Sequence, residues 1–336
     1  MISRTDSIGD VVLTLPLVGL IKARHPEMHI AFLGQSYTRA VIEACASVDE
    51  FIDWQQISQL SAPEQISTLK KKNFDTIIHV FPRKAIARIA KKASIPLRIG
   101  TTGRLYHWVL CNRLIRFSRR NSGLHEAQLN LKLAADWLDE VNIPEKEIIQ
   151  YYGLTRVSAL PVKLAAYLHP DKFNLILHPK SKGSAREWGS ENFAALSELL
   201  PREKYNIIIT GTQAEGDLLT QEGFFAKAGE INNLTGKMSL AEMLSFIQAA
   251  DGLIAASTGP LHLAAALGKV ALGIYPPIKP MHPGRWKPLG KHAGYLVAEK
   301  ECEECRKSGP CLCMMHITPQ QVKHKLESMV LTSRER

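Results

Sequence analysis

The sequence predicts an α/β protein of two domains, each built on a parallel β-sheet covered by helices. Its 336 residues exceed one ordinary core and suit two domains of about 150 residues each. In both halves, short β-rich runs alternate with amphipathic helical patterns, which is typical of parallel sheets with helical crossovers. Hydrophobic residues make up 45% and charged residues 22%, the balance of a soluble globular protein.

The elements of both halves can be placed from these patterns. In the first half we expect a short strand at 1–3, a helix at 11–23, and strands at 29–34, 75–80 and 97–100. Buried parallel strands usually have 4–8 residues, so the first strand leaves open that the natural chain begins a few residues earlier. In the second half we expect strands at 174–179, 205–210, 253–256 and 270–275, with helices beginning at Glu191, Ala214, Ser239 and Pro260. The predicted domains are 1–160 and 170–317, followed by a C-terminal helix and tail at 318–336.

Basic residues are concentrated in one segment of the first half. The net charge is +10, and between residues 75 and 126 there are eleven Lys or Arg and no Asp or Glu. The remaining 31 basic residues almost balance the 32 acidic ones. Such a segment attracts a polyanion (nucleic acid, an anionic membrane surface or an acidic substrate), or it is only a solvated basic face. We expect no transmembrane span and no export signal, since the apolar stretch at 11–21 is too short and follows two acidic residues.

A first motif, Thr-Asp-Ser-Ile-Gly-Asp-Val-Val at 5–12, lies between the first strand and the first helix. Loops at the carboxyl ends of parallel strands are where α/β folds place ligands. Gly9 permits a close turn, and Asp10 stands at the helix start, either as an N-cap or as a functional carboxylate. The Gly-x-Gly-x-x-Gly spacing is absent, which argues against a dehydrogenase.

Two further motifs lie in the second half. In Ser-Thr-Gly-Pro-Leu-His at 257–262, Gly259 permits close approach and Pro260 suits the first helical position, so the free amides there could bind a diphosphate. His262 either faces the phosphates or packs in the core. The loop His-Pro-Lys-Ser-Lys-Gly-Ser-Ala-Arg-Glu-Trp at 178–188 combines hydroxyls and cations that suit phosphate oxygens, unless it is merely a flexible basic loop.

The order of these motifs, with Asn-Leu-Thr-Gly-Lys-Met-Ser-Leu at 233–240, resembles glycosyltransferase family 9, which includes the lipopolysaccharide heptosyltransferases. The similarity spans nearly the whole chain. It implies a GT-B fold, with two Rossmann-like domains facing each other across a cleft, the first binding the acceptor and the second the nucleotide-sugar. It also implies inverting, metal-independent transfer of heptose from ADP-heptose to a lipid A–core oligosaccharide. The enzyme would be cytoplasmic and held peripherally at the anionic inner-membrane surface.

The resemblance also assigns roles to residues. Asp10 matches the family's general base, and Arg186 stands where members usually have a lysine that contacts the donor phosphates. Ser257 replaces an aspartate common in the family, which leaves the donor sugar less defined. The resemblance places Met238 near the nucleotide base and Glu215 near the ribose. The whole predicted substrate-binding set is Gly9, Ser181, Lys182, Arg186, Glu215, Met238, Ser257, Thr258, Gly259 and His262; the predicted acceptor or membrane contacts are Arg83, Lys84, Arg104, Arg119 and Arg120.

A cysteine group near the end could hold a structural zinc ion through Cys302, Cys305, Cys311 and Cys313. The second pair is closer than zinc ligand pairs usually are, so reduced thiols or a disulfide are alternatives. No cofactor is expected for catalysis.

Two other hypotheses about the function remain open. One is a GT-B transferase or epimerase that uses another nucleotide-sugar. The other is a basic nucleic-acid- or carbohydrate-binding protein without catalysis. The basic segment has few aromatic residues for base stacking, so nucleic acid is not an expected partner.

Overall fold

The computed structural model describes residues 1–119, 122–138, 140–181, 183, 185–279, 281–299 and 312–334. The chain divides into two compact units, Met1–Arg156 and Val157–Arg336. The predicted domain limits placed this junction a few residues later. Each unit contains one six-stranded sheet, and all the strand pairs described in it are parallel.

The first unit alternates strands and helices, and its sheet has the order β3-β2-β1-β4-β5-β6. Its strands are β1 (Ile2–Ser3), β2 (Ala31–Gly34), β3 (Glu50–Asp53), β4 (Thr76–His79), β5 (Leu97–Thr101) and β6 (Arg113–Ile115). Its helices are α1 (Ile8–Val12), α2 (Leu15–Arg24), α3 (Arg39–Glu43), α4 (Trp54–Gln59), α5 (Ala62–Lys71), α6 (Lys84–Lys92), α7 (Leu105–Leu110), α8 (Glu126–Leu131) and α9 (Glu145–Ile148).

The second unit repeats this plan, with the sheet order β12-β11-β10-β7-β8-β9. Its strands are β7 (Phe173–His178), β8 (Tyr205–Ile209), β9 (Asn232–Asn233), β10 (Gly252–Ala256), β11 (Val270–Tyr275) and β12 (Ala293–Val297). Its helices are α10 (Val162–Ala165), α11 (Ser190–Leu199), α12 (Gln213–Gln221), α13 (Phe224–Lys227), α14 (Leu240–Ala249), α15 (Gly259–Ala266), α16 (Pro283–Trp286), α17 (Leu312–Met315) and α18 (Pro319–Arg334).

Counted along each unit, both sheets have the strand order 3-2-1-4-5-6. In this Rossmann arrangement the chain reverses its direction of travel across the sheet between the first and the fourth strand. Ligands bind at this switch point, in the crevice beside the carboxyl ends of the strands. The loops that follow β1 and β4 in the first unit, and β7 and β10 in the second, are therefore where a site is expected.

The structure corrects two details of the sequence-based assignment. The helix predicted at 11–23 is two helices, α1 and α2, separated at Leu13 and Thr14. The Thr14 hydroxyl donates to the Asp10 carbonyl at 2.8 Å, and Pro16 follows in the first turn of α2. In addition, four strands were not predicted, namely β3, β6, β9 and β12, and all four lie at the edges of the sheets.

The last helix, α18, belongs to the core of the second unit. It packs against α11, β11 and β12, and buries Val322 and Leu326 completely. The segment just before it is fixed by Trp188, whose indole N–H donates to the Ile317 carbonyl at 2.7 Å. Within the described residues, no helix has both the length and the apolar character needed to cross a membrane.

Candidate active site

A buried arginine organises the loop that follows β1. The Arg4 side chain is almost fully buried, and its Nε donates to Asp6 Oδ1 at 2.8 Å. The same guanidinium contacts Asp10 and lies 3.3 Å from Glu126 Oε1. Burial alone would lower the pKa of Arg4, but the three carboxylates outweigh it and raise the pKa. One buried cation thus holds three carboxylates, since leaving any buried charge unpaired is costly.

A second arginine fixes the far side of this cluster. Glu126 is fully buried at the start of α8, and Arg119 Nε donates to its Oε1 at 3.0 Å. Arg119 also donates to Asn130 Oδ1 at 2.9 Å, while Asn130 Nδ2 donates to the Leu13 carbonyl at 3.0 Å. These contacts tie α8 to the break between α1 and α2, and so fix the backbone beside Asp10.

Asp10 lies inside the first turn of α1, since the N-cap of this helix is Ser7. Its carboxylate accepts from the Ser7 hydroxyl and from Arg4. The side chain is 19% exposed, so a substrate can reach it. A partly open carboxylate that a buried cation holds in place is suited to accept a proton from a hydroxyl group.

Asp6 shares Arg4 with Asp10. Burial raises the pKa of Asp6 and Arg4 lowers it, whereas the neighbouring Asp10 charge raises it again, to about 6. Asp6 therefore takes up a proton at a higher pH than an ordinary aspartate does. Sequence reasoning did not select Arg4, Asp6 or Glu126, although Glu126 is the acidic residue that ends the acid-free segment.

The predicted acceptor or membrane residues differ in their surroundings. Arg83 Nε donates to the Thr5 hydroxyl at 3.0 Å, so Arg83 contacts the loop that carries Asp10. Arg119 is held by Glu126, as described above. Lys84 and Arg104 are exposed. Arg120 lies outside the described residues.

In the second unit, the loop after β10 leads directly into α15. Thr258 is the N-cap of this helix and is 4% exposed, and its hydroxyl has no hydrogen-bond partner within the part of the chain that the structure describes. An unsatisfied buried hydroxyl costs about 1–3 kcal/mol. The first N–H groups of a helix also lack partners within the helix, which makes its N-terminus an anion site. Together they can supply donors to a diphosphate.

The neighbours of Thr258 are buried or bonded to the sheet. His262, one turn later, is 3% exposed, and its amide donates to the Thr258 carbonyl at 3.3 Å. Ser257 is half-buried and hydrogen-bonded to the side chain of Tyr275, whose hydroxyl donates to the Trp286 carbonyl at 2.6 Å. The serine that replaces the family's aspartate is thus bonded to the neighbouring strand β11.

The loop after β7 contains acidic partners for its own polar groups. The Ser181 amide donates to Glu187 Oε1 at 2.9 Å, and its hydroxyl lies 3.1 Å from the same oxygen. Lys180 Nζ contacts Glu187 Oε2 at 3.3 Å and Glu222 Oε1 at 2.6 Å. Arg186 is half-buried, and Lys182 lies outside the described residues. Glu187 therefore fixes the conformation of this loop by binding Ser181 and Lys180.

Glu215 lies in the first turn of a helix, and Met238 lies just before another. Both follow the carboxyl ends of strands of the second sheet. Glu215, after β8, forms a capping box in α12, where its Oε2 accepts from the Thr212 amide at 2.6 Å. Met238 is half-buried and stands just before Ser239, the N-cap of α14. Because the carboxyl ends of parallel strands share one edge, the structure brings the predicted donor residues after β7, β8, β9 and β10 to one side of this sheet.

The predicted zinc site cannot be assembled from the described residues, because Cys302, Cys305 and Cys311 lie outside them. Cys313 is buried in α17, where it belongs to the core of the second unit. Among the residues that the structure describes, no group of three or more His, Cys, Asp or Glu is placed to hold a metal ion.

Comparison with known proteins adds the family. Residues 64–314 match the family model described as glycosyltransferase family 9 (heptosyltransferase). The chain is 27% identical over 316 residues to a Haemophilus influenzae protein named, provisionally, as a glycosyltransferase, with 88% of each covered. It is 22% identical over 351 residues to lipopolysaccharide heptosyltransferase 2 of Salmonella typhimurium, with 96% of each covered.

A solved structure shows the fold. The Escherichia coli ADP-heptose LPS heptosyltransferase II superimposes with a TM-score of 0.76 at 20% identity, over 99% of both chains. At this identity the likeness establishes the architecture, which is GT-B, as the sequence predicted. Because the family model covers most of its length, the chain belongs to glycosyltransferase family 9 and is a glycosyltransferase.

Proposed function

We propose that the chain transfers a heptose from ADP-heptose to the inner core of lipopolysaccharide by an inverting, metal-independent displacement. The family and the relatives named lipopolysaccharide heptosyltransferases support this substrate class. So does the E. coli heptosyltransferase WaaC with ADP-2-deoxy-2-fluoro heptose, a similar structure with a TM-score of 0.67. The observation that carries the proposal is the partly exposed Asp10 carboxylate held by buried Arg4 at the ligand-binding edge of the first sheet.

Asp10 acts as the general base. It takes the proton from an acceptor hydroxyl as that oxygen attacks the anomeric carbon of the donor, and the bond from this carbon to the diphosphate oxygen breaks. The attack occurs opposite the leaving group, so the configuration inverts. Arg4 and Ser7 orient the carboxylate before the acceptor arrives, and a positioned base contributes typically about 10²–10⁴-fold to the rate.

The departing nucleoside diphosphate is stabilised by the second unit. The Thr258 hydroxyl and the first amides of α15 donate to the phosphate oxygens, and Arg186 adds a positive charge. These groups carry the role that a divalent cation has in other transferases. Met238 contacts the nucleotide base, and Glu215 contacts the ribose through Oε1, the oxygen that takes no part in the capping box.

The acceptor binds to the first unit. Arg83 and the basic segment around it hold the phosphate and carboxylate groups of the inner-core lipid, and associate the enzyme peripherally with the anionic cytoplasmic leaflet. Each Lys or Arg near such a surface contributes about 1 kcal/mol. The cysteine group remains a proposed structural zinc site.

Donor selectivity tests the proposal first. We would measure the thermal unfolding of the full chain with ADP-, GDP-, UDP- and dTDP-linked sugars and with the bare nucleotides. A ligand at a hundred times its Kd adds about 2.7 kcal/mol to the stability. We expect a selective response to ADP and ADP-heptose, followed by heptose transfer to a lipid A–core acceptor.

A selective response to another nucleotide-sugar would keep the fold and the mechanism but replace the donor. Ser257 favours this as the second candidate, because it pairs with Tyr275 where family members carry an aspartate. No response to any of these nucleotide-sugars would reject the proposed donor class.

A further inference from the structure

Helix α7 presents an apolar ridge to solvent in the first unit. Leu105, Trp108 and Val109 are 88%, 61% and 68% exposed. Their spacing of three and four residues places all three side chains on one face of the helix. Exposed single apolar residues are common on protein surfaces, but three large ones that share one face of a short helix form a contiguous patch.

The opposite face of α7 anchors the helix. His107 is fully buried, and its Nδ1 lies 3.0 Å from the Thr101 amide. The Trp108 indole N–H donates to the Thr102 carbonyl at 3.1 Å, so the polar atom of this ring already has a partner within the fold. The ridge is therefore held by a buried face and an internal hydrogen bond, and it offers mainly carbon atoms to its surroundings.

Cations flank both ends of the ridge. Arg104 immediately precedes α7 and is exposed, and Lys91 of α6 donates to the Val109 carbonyl at 2.9 Å. The helix lies within the segment that has eleven basic and no acidic residues. An apolar surface bordered by cations matches an anionic bilayer, whose headgroups attract the charges while the interfacial zone accepts Trp and aliphatic side chains.

The size of the ridge also favours a bilayer over a protein partner. A stable protein–protein interface buries about 800 Å² on each partner, usually from 20–30 residues. Three side chains on a six-residue helix are far fewer than that. A membrane needs no complementary shape, since a few apolar side chains assisted by basic neighbours are sufficient for reversible binding.

We propose that Leu105, Trp108 and Val109 insert into the interfacial zone of an anionic membrane and give the enzyme a salt-resistant attachment. This inference rests on the proposal that the chain works at an anionic membrane, and it does not depend on which sugar is transferred. The insertion adds apolar contact to the electrostatic attraction of the basic segment, so the two contributions separate by their response to salt.

The test is sedimentation of the full chain with vesicles of phosphatidylglycerol and phosphatidylethanolamine, without donor, at low and high salt. We expect the triple variant Leu105→Ser/Trp108→Ser/Val109→Ser to partition roughly 10- to 100-fold more weakly, and to lose the binding that persists at high salt. Val162→Ser is the matched control, because Val162 is 88% exposed in the second unit and should leave binding unchanged.

A second measurement does not depend on the folding of the triple variant. Lipids brominated on their acyl chains should quench the tryptophan fluorescence of the unmodified chain, and Trp108→Phe should retain vesicle binding but lose most of that quenching. Equal partitioning of the triple variant overturns the insertion, as does quenching that survives Trp108→Phe. If the triple variant instead abolishes self-association of the chain and leaves vesicle binding intact, the ridge is a contact between copies and the proposal fails.

The salt response distinguishes the two proposals. Wild-type binding that salt abolishes, with no effect of the triple variant, would retain electrostatic docking and reject insertion. No binding to anionic vesicles by any form of the chain would reject both, while the nucleotide-sugar response would still report on the transferase proposal.

Discussion

The two units have the same strand order, but their ligand-edge loops are built in opposite ways. After β1, the charged groups bind one another, with Arg4 shared by Asp6, Asp10 and Glu126. After β10, the Thr258 hydroxyl is buried without a partner among the described residues. The first loop is complete before any substrate arrives, whereas we propose that the second is completed by the ligand that binds there.

This difference separates two ways in which a site can be prepared. A network whose charges are already paired holds a reactive group in position and requires no reorganisation during the reaction. A buried donor without a partner makes the empty protein less stable and makes the ligand correspondingly more stabilising. We therefore expect substitutions in the first loop to change catalysis and folding, and substitutions in the second to change ligand affinity.

Replacing the proposed base should have the largest effect. Asp10→Asn retains the size of the side chain but removes the proton acceptor, so we expect the transfer rate to fall about 10²–10⁴-fold while donor affinity is preserved. Steady-state kinetics with donor binding measured separately would show this. Asp136→Asn, which changes an exposed carboxylate paired with Arg113 in the same unit, should leave the rate within a factor of about two. A transfer rate unaffected by Asp10→Asn would reject the assignment of the base.

The next effect concerns the buried carboxylate behind Arg4. Glu126→Ala leaves Arg4 and Arg119 short of a partner, so the free energy of unfolding should fall by about 3–5 kcal/mol in chemical denaturation. Glu64→Ala, which removes an exposed capping-box residue of α5, should cost much less. A loss for Glu126→Ala no larger than this control would show that the network is not needed for the fold.

The acid response of the first unit should depend on His79, at the end of β4. His79 is fully buried, neither ring nitrogen has a partner among the described residues, and burial followed by the neighbouring His107 lowers its pKa to about 3. The unfolded chain, with a pKa near 6.5, takes up this proton first, so stability is lost as the pH falls from about 6.5 to 3.

Replacing His79 would test the difference between a buried histidine without a hydrogen-bond partner among the described residues and one that has a partner. The second kind is His178, which ends β7 and has Thr210 Oγ1 as a partner at 3.0 Å. We expect His79→Leu to flatten the acid side of the stability profile by up to about 1.4 kcal/mol per pH unit. The raised pKa of Asp6 has the opposite effect, because the folded chain gains stability from protonating Asp6 as the pH falls from about 6 to 3.8. Asp6→Asn removes this gain, so the stability should fall more steeply with decreasing pH. His29→Asn, at an exposed position, is the control; an acid profile that His79→Leu leaves unchanged would contradict the prediction.

The smallest effect should come from replacing the Thr258 hydroxyl, which has no partner among the described residues, and should differ from that of replacing the hydrogen-bonded Thr210 hydroxyl. Thr258→Val should leave the stability of the empty protein unchanged or slightly higher, and weaken ADP-sugar binding roughly tenfold, the loss of about 1.4 kcal/mol expected for one hydrogen bond to a charged ligand. Thr210→Val removes the hydroxyl bonded to His178 and should lower stability by about 1 kcal/mol. Thermal unfolding with and without ADP measures both. Equal destabilisation of the empty protein by the two variants would refute the contrast.

The sequence patterns predicted the central strands of both sheets but not the edge strands. Central parallel strands are covered on both faces, so β11 is an apolar run throughout and β7 contains the apolar run at 175–177. The four missed strands are edge strands with a single neighbour, and two of them have only two or three residues, none fully buried: Asn232–Asn233 and Arg113–Ile115. Nothing in such segments distinguishes them from loops until the neighbouring strand is in place.

The candidate site was predictable where its residues are close in sequence. Asp10 and Thr258 each belong to a compact strand-turn-helix motif, which can be recognised without a structure. Arg4 and Glu126 are 122 residues apart, and their pairing exists only in the folded unit. The same limit applies to Lys180 and Glu222, because one cation of a loop that is basic in the sequence is paired with a carboxylate at the C-cap of α12.

The position of α18 has a consequence for synthesis on the ribosome. In the first unit, one core cluster is made entirely of residues between Met1 and Ile95, so it can form while the rest of the chain is still being made. The second unit cannot, because Trp188 receives its hydrogen-bond acceptor from a residue 129 positions later, and the covering residues Val322 and Leu326 emerge later still. The nascent second unit is therefore expected to expose one apolar face until the residues around Ile317 and Leu326 have been synthesised.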